Sequence, residues 1–513
     1  MSTAQSYDNL PYPGAAFSQT HPSRLAAVAI LHGVDAPDSQ NCRVLELGCS
    51  DGGNLLNIAY TLPDAECVGI DYAPVHITAA ERSVAALNLK NCRFYTADIL
   101  NLPQNLGSFD YIITHGVYSW VPPDVQQAIM RIYAELLTPH GIGYISYNAY
   151  PGWHGYRMIR EVLESGIPPT ADIYERIGAS RTFLQDVKQI GGSDNTAYSA
   201  VVNSTSDSFG RSNDAYLGHE YFEDDNTPSY FHEFIEKARN NGLEYVAEAF
   251  SQGTQLHNAP ERVLQEISNR ASDRIEREQW LDFFIGRQFR KTLLCKAESN
   301  SPHELDNSNF KRLYIGSSLT RTDDSPEGVP QYAAPNGLVI GSGNPTLARA
   351  IAYLAECNPL PVTFSNLLRK SGSSSNVESD EETIIALCRQ CYDDMLGYFY
   401  DGPTLAVAKA GAYPKISDVA RLQALSGNVA STLHHSAAQF DEPVPLILLR
   451  NADGTRSQDE LFDLLKGSLE REEFKLADEN GNPLATGTET DEILRVALEV
   501  CMEQFAKFAL LEK

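Results

Sequence analysis

Long apolar runs and basic residues are both scarce in this 513-residue sequence, and each scarcity excludes a class of protein. No run approaches the roughly 20 apolar residues of a membrane-spanning helix, and the amino terminus lacks the basic-then-apolar pattern of a secretory signal. Only 40 lysines and arginines stand against 67 aspartates and glutamates, a net charge of −27. Because affinity for a phosphate backbone comes mainly from lysine and arginine, we expect no nucleic-acid partner and a preference for cationic partners. We expect a cytoplasmic protein without a membrane span.

Cysteine is sparse too, with nine residues scattered through the chain. Several lie inside apolar segments, which is typical of buried thiols in a reducing compartment and not of a disulfide framework. Cys388 and Cys391 have C-x-x-C spacing, but no second pair follows and they lie in a helical pattern. His219-Glu220 and His232-Glu233 each lack the second histidine of the zinc motif H-E-x-x-H. We therefore expect buried thiols and no metal site.

What the sequence does contain, from Arg43 to Asn148, is an alternation of short apolar strands with helical patterns, as in parallel α/β folds. Pro74 and Pro122 open the two clearest helical patterns, which is a favoured position for proline. We therefore predict a doubly wound, seven-stranded, Rossmann-like α/β sheet with helical insertions. The predicted strands are 43–49, 66–72, 92–98, 109–117, 141–148, 244–250 and 290–298.

Two segments interrupt this alternation. Residues 151–218 are rich in Gly, Ser, Asn and Asp and include a helical stretch, and residues 258–287 have a helical pattern. We interpret both as insertions within one catalytic domain that covers residues 1–300. Because an insertion at the carboxyl edge of a parallel sheet lies beside the ligand crevice, we expect a lid or a substrate platform.

Polar linkers after Glu298 separate the rest of the chain into smaller modules. Residues 301–410 contain three helical patterns followed by an apparent strand pair, which predicts a winged-helix-like module. In its third helix, residues 380–396 carry five acidic residues and one arginine, so this helix would repel phosphate. An interaction or substrate-positioning role is therefore favoured over DNA binding.

Residues 411–513 predict a C-terminal α/β module that ends in a long helix. One face of this helix is apolar, and we expect that face to dock on a neighbouring element. The face consists of Ile493, Val496, Ala497 and Val500.

The segment VLELGCSDGGN (44–54) lies at a predicted strand-to-helix turn, where glycines let the backbone approach a ligand closely. The helix that opens near Gly53 presents free backbone amides. A dinucleotide site would carry G-x-G-x-x-G, but the second glycine, which admits a pyrophosphate, is absent here. Glu46, two residues before Gly48, suits a cationic amino group and would repel a pyrophosphate. The motif therefore disfavours a nicotinamide dehydrogenase.

Two more acidic residues end the next two predicted strands. Asp71 can accept hydrogen bonds from ribose hydroxyls, and Asp98 is placed for an adenine edge. Turn residues often gather at strand ends, but three acids at successive strand ends around a glycine-rich turn favour a binding site over structural coincidence.

These features resemble the class I S-adenosylmethionine (SAM)-dependent methyltransferases, in which the first turn holds the methionine moiety, the second acid the ribose and the third acid the adenine. Ser50 departs from the common pattern, because many members have glycine there. The resemblance implies SAM as cofactor and S-adenosylhomocysteine as product. It implies cofactor contacts from Glu46, Gly48, Cys49, Ser50, Gly52, Gly53, Asn54, Asp71, Tyr72, Asp98, Ile99 and His115.

Further segments resemble one subgroup of this family, whose members carry a methyltransferase regulatory domain after the catalytic core and include bacterial lysine methyltransferases of outer-membrane proteins. The likeness is dense from about residue 5 to residue 300 and fainter afterwards. It implies a protein or peptide substrate with accessible lysines. The segments include YDNLPYPGAAF (7–17), ITHGVYSWVPP (113–123), ISYNAYPGW (145–153) and HEYFED (219–224).

Methyl transfer from a sulfonium is an in-line displacement, so the enzyme mainly aligns a neutral nucleophile and excludes water. A lysine amine, with a reference pKa of about 10.4, must first lose a proton, which a desolvating aromatic site favours. The expected catalytic residues are His115, Tyr118, Trp120, Asn148 and Tyr12. The expected substrate contacts are Tyr7, Trp153, His219 and Glu220.

Trp120 and Trp153 have packing as their alternative role. His115 has as its alternative a backbone contact or packing. The function we predict is a SAM-dependent methyltransferase that acts on lysine side chains of a protein. A small-molecule N- or O-methyltransferase and a non-catalytic SAM-binding regulator are the alternative functions.

Overall fold

The computed structural model describes most of the chain. No helix in that part is both long and apolar enough to cross a membrane. Tyr7 and Tyr12 lie outside the described residues. The described residues are 14–168, 172–191, 196–249, 261–299, 304–323, 325, 328–372, 377–477, 484 and 487–513.

Seven strands form one mixed sheet in the order β3-β2-β1-β4-β5-β7-β6, which confirms the predicted Rossmann-like sheet. The first five strands are parallel, and β7 runs antiparallel to both β5 and β6. The order reverses between β1 and β4, where ligands bind in open α/β sheets. The strands are β1 (Arg43–Leu47), β2 (Glu66–Asp71), β3 (Cys92–Thr96), β4 (Phe109–Thr114), β5 (Leu137–Asn148), β6 (Leu243–Glu248) and β7 (Phe289–Lys296).

Five helices pack on the two faces of this sheet, whose central strands are apolar on both sides, as buried parallel strands are. Pro74 is the first residue of its helix, as predicted, whereas Pro122 is the N-cap of a helix that begins at Pro123. The helices are α1 (Pro22–Leu31), α2 (Gly53–Thr61), α3 (Pro74–Ala86), α4 (Pro123–Leu136) and, after an insertion, α9 (Phe231–Arg239).

Four helices follow β5 and form the first insertion, with an apolar cluster of their own that includes Ile159, Leu184 and Phe209. The sequence predicted only the first of them, because the Gly, Ser and Asn content of the rest of the insertion disfavours helix. Burial of one face against the others stabilises the remaining helices. They are α5 (His154–Gly166), α6 (Ile173–Gly191), α7 (Ala197–Arg211) and α8 (Asp214–Phe222).

The second insertion, α10 (Glu261–Arg270) and α11 (Arg274–Ile285), is tied to the sheet by a buried ion-pair cluster. Arg290 on β7 is fully buried and lies 2.8 Å from both Asp282 and Glu248. A buried charge is tolerated only when it is paired in this way. The cluster therefore holds the junction between α11 and β7 beside the end of β5.

A middle module follows, and its small sheet differs from the predicted strand pair. Gly397–Tyr400 is a strand, but it pairs with Tyr314–Ser317, which lies before the helices. Cys388 and Cys391 are both buried, as expected. The module contains β8 (Tyr314–Ser317), β9 (Thr320–Arg321), β10 (Tyr332–Ala333), β11 (Val339–Ile340), α12 (Pro345–Cys357), β12 (Val362–Thr363), α13 (Phe364–Ser371), α14 (Val377–Asp393) and β13 (Gly397–Tyr400).

The last module has a separate apolar cluster. Its elements are β14 (Lys415–Ile416), α15 (Asp418–Ser426), β15 (Val429–Ser431), β16 (Ala437–Gln439), α16 (Pro443–Asn451), α17 (Gln458–Glu470), α18 (Thr488–Lys507) and β17 (Leu511–Glu512).

The predicted docking face of α18 is wrong. Ile493, Val496 and Val500 are 38%, 59% and 47% exposed. The helix instead buries Leu494, Leu498, Cys501, Met502 and Phe505. It carries two apolar faces, and the one with the larger side chains packs into the module, because burying more apolar area is more favourable.

Candidate active site

One cavity of about 490 Å³ opens at the carboxyl ends of β1, β2, β4 and β5. Loops that follow these strands line one half of it, and helices of the first insertion line the other. Its volume lies within the roughly 300–1,000 Å³ of small-molecule sites. We refer to these halves as the cofactor half and the acceptor half.

The loop after β1 turns sharply at two residues with left-handed backbone. Gly48 has φ +71°, and a Cβ atom there would lie 2.4 Å from the Val117 side chain. Ser50 has φ +50°, a conformation that costs a non-glycine residue about 1–2 kcal/mol. Asp71 holds this turn, because its Oδ2 accepts a hydrogen bond from the Ser50 N–H at 2.8 Å. Its Oδ1 accepts one from the Ala73 N–H at 2.9 Å.

The next two glycines allow close packing, and neither lines the cavity. A Cβ atom on Gly52 would lie 2.6 Å from the Phe94 ring, and one on Gly53 would lie 2.4 Å from the Gly14 backbone. The Gly14 N–H also donates to Asp51 Oδ1 at 3.0 Å. The amino-terminal segment thus lies across the first turn and brings Phe17 into the cavity wall.

Glu46 carries the main electrostatic feature of the cofactor half. Its side chain is buried, and Oε1 accepts a hydrogen bond from Asn54 Nδ2 at 2.7 Å. Oε2 has no hydrogen-bond partner among the described residues. Burial, with smaller contributions from Asp71 and Asp51, raises the pKa of Glu46 to about 8 against the effect of the Asn54 hydrogen bond. A cation placed at Oε2 would give this oxygen a partner and would stabilise the charged form of the buried carboxylate.

Of the two predicted adenine contacts, only one lines the cavity. Ile99 lines the cavity, whereas Asp98 does not. The Asp98 Oδ1 atom accepts a hydrogen bond from the Leu100 N–H at 2.9 Å and so caps a short 3₁₀ helix. Cys49, Tyr72 and the other predicted residues of the first two loops line the cavity, Gly52 and Gly53 excepted.

Aromatic rings form the wall of the acceptor half. Trp153 stacks on Tyr156 with centroids 4.5 Å apart and nearly parallel planes, and it meets Trp120 edge-on at 6.2 Å. The Trp153 Nε1–H donates to Asn226 Oδ1 at 2.9 Å, which fixes the indole. Such faces attract ammonium and sulfonium groups.

Two polar residues of α8 face the same cavity. His219 Nδ1 lies 2.7 Å from Glu223 Oε1. Burial raises the pKa of Glu220 to about 7, although nearby Arg160 and a hydrogen bond from Tyr216 act in the opposite direction. Arg160 donates a hydrogen bond to the Glu220 carbonyl at 2.7 Å, so the position of Glu220 is set from the neighbouring helix.

His115 lies between the two halves. Its Nδ1 is 3.0 Å from both Tyr144 Oη and Ser146 Oγ, and its ring contacts Phe17 at 4.1 Å between centroids. Burial and, to a lesser degree, Lys291 lower its pKa to about 3. Such an imidazole stays neutral at physiological pH and is a weak proton acceptor, which favours a positioning role.

Of Asn148 and Tyr118, two further predicted catalytic residues, only the first lines the cavity. Asn148, at the end of β5, lines the cavity, and its Nδ2 has no hydrogen-bond partner among the described residues. Tyr118 is fully buried behind the cavity, where it packs edge-on against Phe234 and does not line the site.

Several lining residues were missed by reasoning from the sequence. Tyr156 lies three residues after Trp153, and this helical spacing was a usable signal. Phe289 reaches the cavity because it pairs with Asn148 between β5 and β7, which no local pattern indicates. The missed residues are Gly14, Ala15, Phe17, Ile70, Ala73, His76, Gly116, Val117, Val121, Tyr156, Tyr216, Gln288 and Phe289.

These residues fit SAM. The unpaired Glu46 oxygen suits its amino group, the open turn at Gly48 admits its methionine moiety, and the rim formed by exposed Tyr72 and half-buried Ile99 suits its nucleoside.

Family models match three parts of the chain. A methyltransferase domain matches residues 38–168, a predicted methyltransferase regulatory domain matches 213–296, and the PKMT C-terminal winged helix domain matches 412–510. The winged-helix match thus lies one module further along the chain than the segment for which the sequence suggested such a fold.

Two relatives are uncharacterized proteins of Rickettsia prowazekii (strain Madrid E). RP789 is 37% identical over 309 residues, which are 60% of this chain and 56% of RP789. RP028 is 36% identical over 234 residues, which are 46% of this chain and 94% of RP028. The match thus spans little more than half the length of RP789 and nearly all of RP028.

Among solved structures, PKMT2 from Rickettsia typhi is similar over 98% of this chain and 100% of its own, with a TM-score of 0.88 and 24% identity. Its complex with AdoHcy has a TM-score of 0.87 and 25% identity over the same shares of the two chains. The chain therefore belongs to the family of SAM-dependent methyltransferases that carry a methyltransferase regulatory domain and a PKMT C-terminal winged helix domain.

Proposed function

We propose that this chain transfers a methyl group from SAM to lysine side-chain amines of a protein. The observation that carries the proposal is the pairing of a carboxylate with aromatic rings in the acceptor half. Glu220 lies beside the wall formed by Trp153, Tyr156 and Tyr216, and Glu46 occupies the cofactor half of the same cavity. A cationic amine is the acceptor that both the carboxylate and the rings favour.

In this proposal Glu220 accepts the proton of the lysine ammonium. As a carboxylate it attracts the lysine ammonium, and a pKa of about 7 lets it accept the ammonium proton near neutral pH. The resulting neutral amine has the lone pair that the reaction needs. SAM, when bound, supplies a methyl group on a sulfonium, and transfer breaks the carbon–sulfur bond with its electron pair left on sulfur.

The aromatic residues align and desolvate the amine. Desolvation lowers the pKa of a lysine, so the Trp153 and Tyr156 faces assist the loss of its proton. Alignment of the reacting groups supplies a large part of the rate in such a displacement. Trp120 and Asn148 border the space between the two halves and are proposed to limit the orientations open to the amine.

The PKMT winged-helix match and the likeness to PKMT2 over nearly the whole chain support a protein as the acceptor. The net charge of −27 adds a general attraction for lysine-rich polypeptides. We further propose a division into residues 1–300, 301–410 and 411–513. The apolar cluster of the last module supports it, since its buried residues all lie between Ile416 and Leu511. The middle module shares its cluster with Ala27, Ile30 and Leu31 of α1 and so packs directly on the catalytic domain.

Tritiated SAM offered with an unfolded lysine-containing polypeptide tests the proposed acceptor. The polypeptide should become labelled, mass spectrometry should place the added methyl groups on lysine Nζ, and the same polypeptide with acetylated amines should take no label. Label on the acetylated polypeptide, or on small amines or hydroxyl compounds alone, would exclude protein lysine as the acceptor. Binding of S-adenosylhomocysteine without transfer to any acceptor would support a regulator instead.

A further inference from the structure

A histidine of the last module contacts the helix that follows the first turn of the cofactor half. His435 lies in the turn between β15 and β16, has φ +58° and is fully buried. Its ring meets helix α2 of the methyltransferase domain, on which Asn54 and Asn57 lie one turn apart. The last module thus places a polar side chain directly behind the loop that follows β1.

The hydrogen bonds of Asn57 determine which His435 nitrogen carries the proton. Asn57 Nδ2 donates to the Thr432 carbonyl at 3.0 Å, and because a carbonyl only accepts, this atom is the amide nitrogen. The same Nδ2 lies 2.9 Å from His435 Nδ1, so Nδ1 accepts. Burial lowers the pKa of His435, which keeps the ring neutral. The proton therefore lies on Nε2.

His435 Nε2–H in turn donates to Asn54 Oδ1 at 2.7 Å. The Phe17 N–H also donates to this oxygen, at 3.1 Å, which independently fixes the orientation of the Asn54 amide. Thr20 Oγ1 lies 2.9 Å from the same oxygen. With Oδ1 occupied in this way, Nδ2 of Asn54 points to Glu46 and donates to its Oε1 at 2.7 Å.

We propose that His435 is a positioning residue for SAM binding, which acts through Asn54 to hold Glu46 Oε2 toward the amino group of the cofactor. This inference rests on SAM binding in the cofactor half and does not depend on the identity of the methyl acceptor. It makes the last module a part of the cofactor site, although none of its residues lines the cavity within the described chain.

The neighbouring histidine supplies a matched control. His434 is in the same turn, and burial likewise lowers its pKa, to about 3. Its ring faces Tyr398 and Tyr400 of the middle module, at 5.0 and 5.8 Å between centroids. A change at His434 therefore disturbs the packing of the turn without touching the Asn54–Glu46 pair.

Two substitutions at His435 separate its two hydrogen bonds. In His435→Gln the amide nitrogen takes the place of Nε2 and keeps a donor for Asn54. In His435→Asn the shorter side chain keeps an acceptor for Asn57 and loses the donor to Asn54. Calorimetric titration with S-adenosylhomocysteine should show affinity within about twofold of the parent for the first and about tenfold weaker for the second, the worth of one buried hydrogen bond. His434→Asn should lower the melting temperature and leave the affinity unchanged.

A double-mutant cycle tests the route through Glu46. In a Glu46→Gln background, His435→Asn should change the affinity by less than about twofold, because the group that it positions has lost its charge. Equal losses for His435→Asn and His434→Asn, an unchanged affinity in His435→Asn, or fully additive losses with Glu46→Gln would each overturn the proposal. If the parent protein bound no S-adenosylhomocysteine, SAM binding itself would be wrong, which is a distinct result.

Discussion

The two halves of the cavity each contain one carboxylate, buried Glu46 and half-buried Glu220, but they hold it by different means. Glu46 lies on a central strand and is held by Asn54, a side chain of the adjacent helix. Glu220 lies on an inserted helix and is held through Arg160, which contacts its backbone. Burial raises the pKa of both, to about 8 and about 7. The difference teaches that a fixed amide donor suits a cofactor whose cation is always present, whereas a carboxylate near neutral pKa suits a group that must exchange a proton.

The largest expected effect comes from neutralising the cofactor half. Glu46→Gln should weaken SAM binding by about 100-fold, the worth of a buried charge-assisted hydrogen bond. The KM for the polypeptide acceptor should stay within about twofold. Titration calorimetry and steady-state kinetics measure the two quantities. The control is Glu66→Gln, since Glu66 pairs with Arg43 and Arg93 away from the cavity. A similar change in both constants would mean that the halves are not independent.

Neutralising the acceptor half should give the opposite pattern. Glu220→Gln should lower kcat/KM for a lysine acceptor by about 30-fold at pH 8 and leave the SAM affinity unchanged. In the parent protein kcat/KM should fall as the pH drops through about 7, because protonated Glu220 neither attracts the ammonium nor accepts its proton. The variant should lack this step. Glu164→Gln, at an exposed position of α5, is the control. The same pH step in Glu220→Gln would remove Glu220 from the mechanism.

The number of protons released when SAM binds should also distinguish the two halves. Without SAM, most Glu46 side chains are protonated at pH 7, because their pKa is about 8. The cationic amino group of bound SAM favours the charged carboxylate instead. SAM binding should therefore release up to about one proton, measured by calorimetry in buffers of different ionisation enthalpy. Glu46→Gln should abolish this release, and Glu220→Gln should retain it. Release that persists in Glu46→Gln would assign the proton to another group.

The smallest expected effect concerns the turn that Asp71 holds. Ser50→Gly removes the strain of a left-handed serine but increases the freedom of the unfolded chain, so the net gain should be about 0.5 kcal/mol in the free energy of unfolding. Chemical denaturation measures it, with SAM affinity expected to stay unchanged. Ser50→Ala, which keeps the strain, is the matched control. A loss of stability in Ser50→Gly would show that the serine side chain contributes more than its backbone strain costs.

Some of the cavity-lining residues could be predicted from the sequence and others could not, for a physical reason. Glu46, Asp71 and Gly48 were predictable because they lie next to strands with clear apolar patterns. The position of Tyr118 was not, because the three residues of a short 3₁₀ helix point in three directions, about 120° apart, and only packing decides which one faces the cavity. Asp98 illustrates the same limit, since a strand-end acid can equally cap the following turn.

The amino-acid sequence by itself determined the seven strands, the glycine-rich turn and the SAM family, because apolar periodicity and strand-end residues are local properties. Only the tertiary structure decided which face of α18 is buried, that Gly53 accommodates Gly14, and that His435 supports Glu46 through Asn54. These outcomes depend on burial and on contacts between separate elements, such as the hydrogen bond between His435 and Asn54, which lie 381 positions apart. No local pattern carries that information, because a side chain meets such partners only once the modules have packed together.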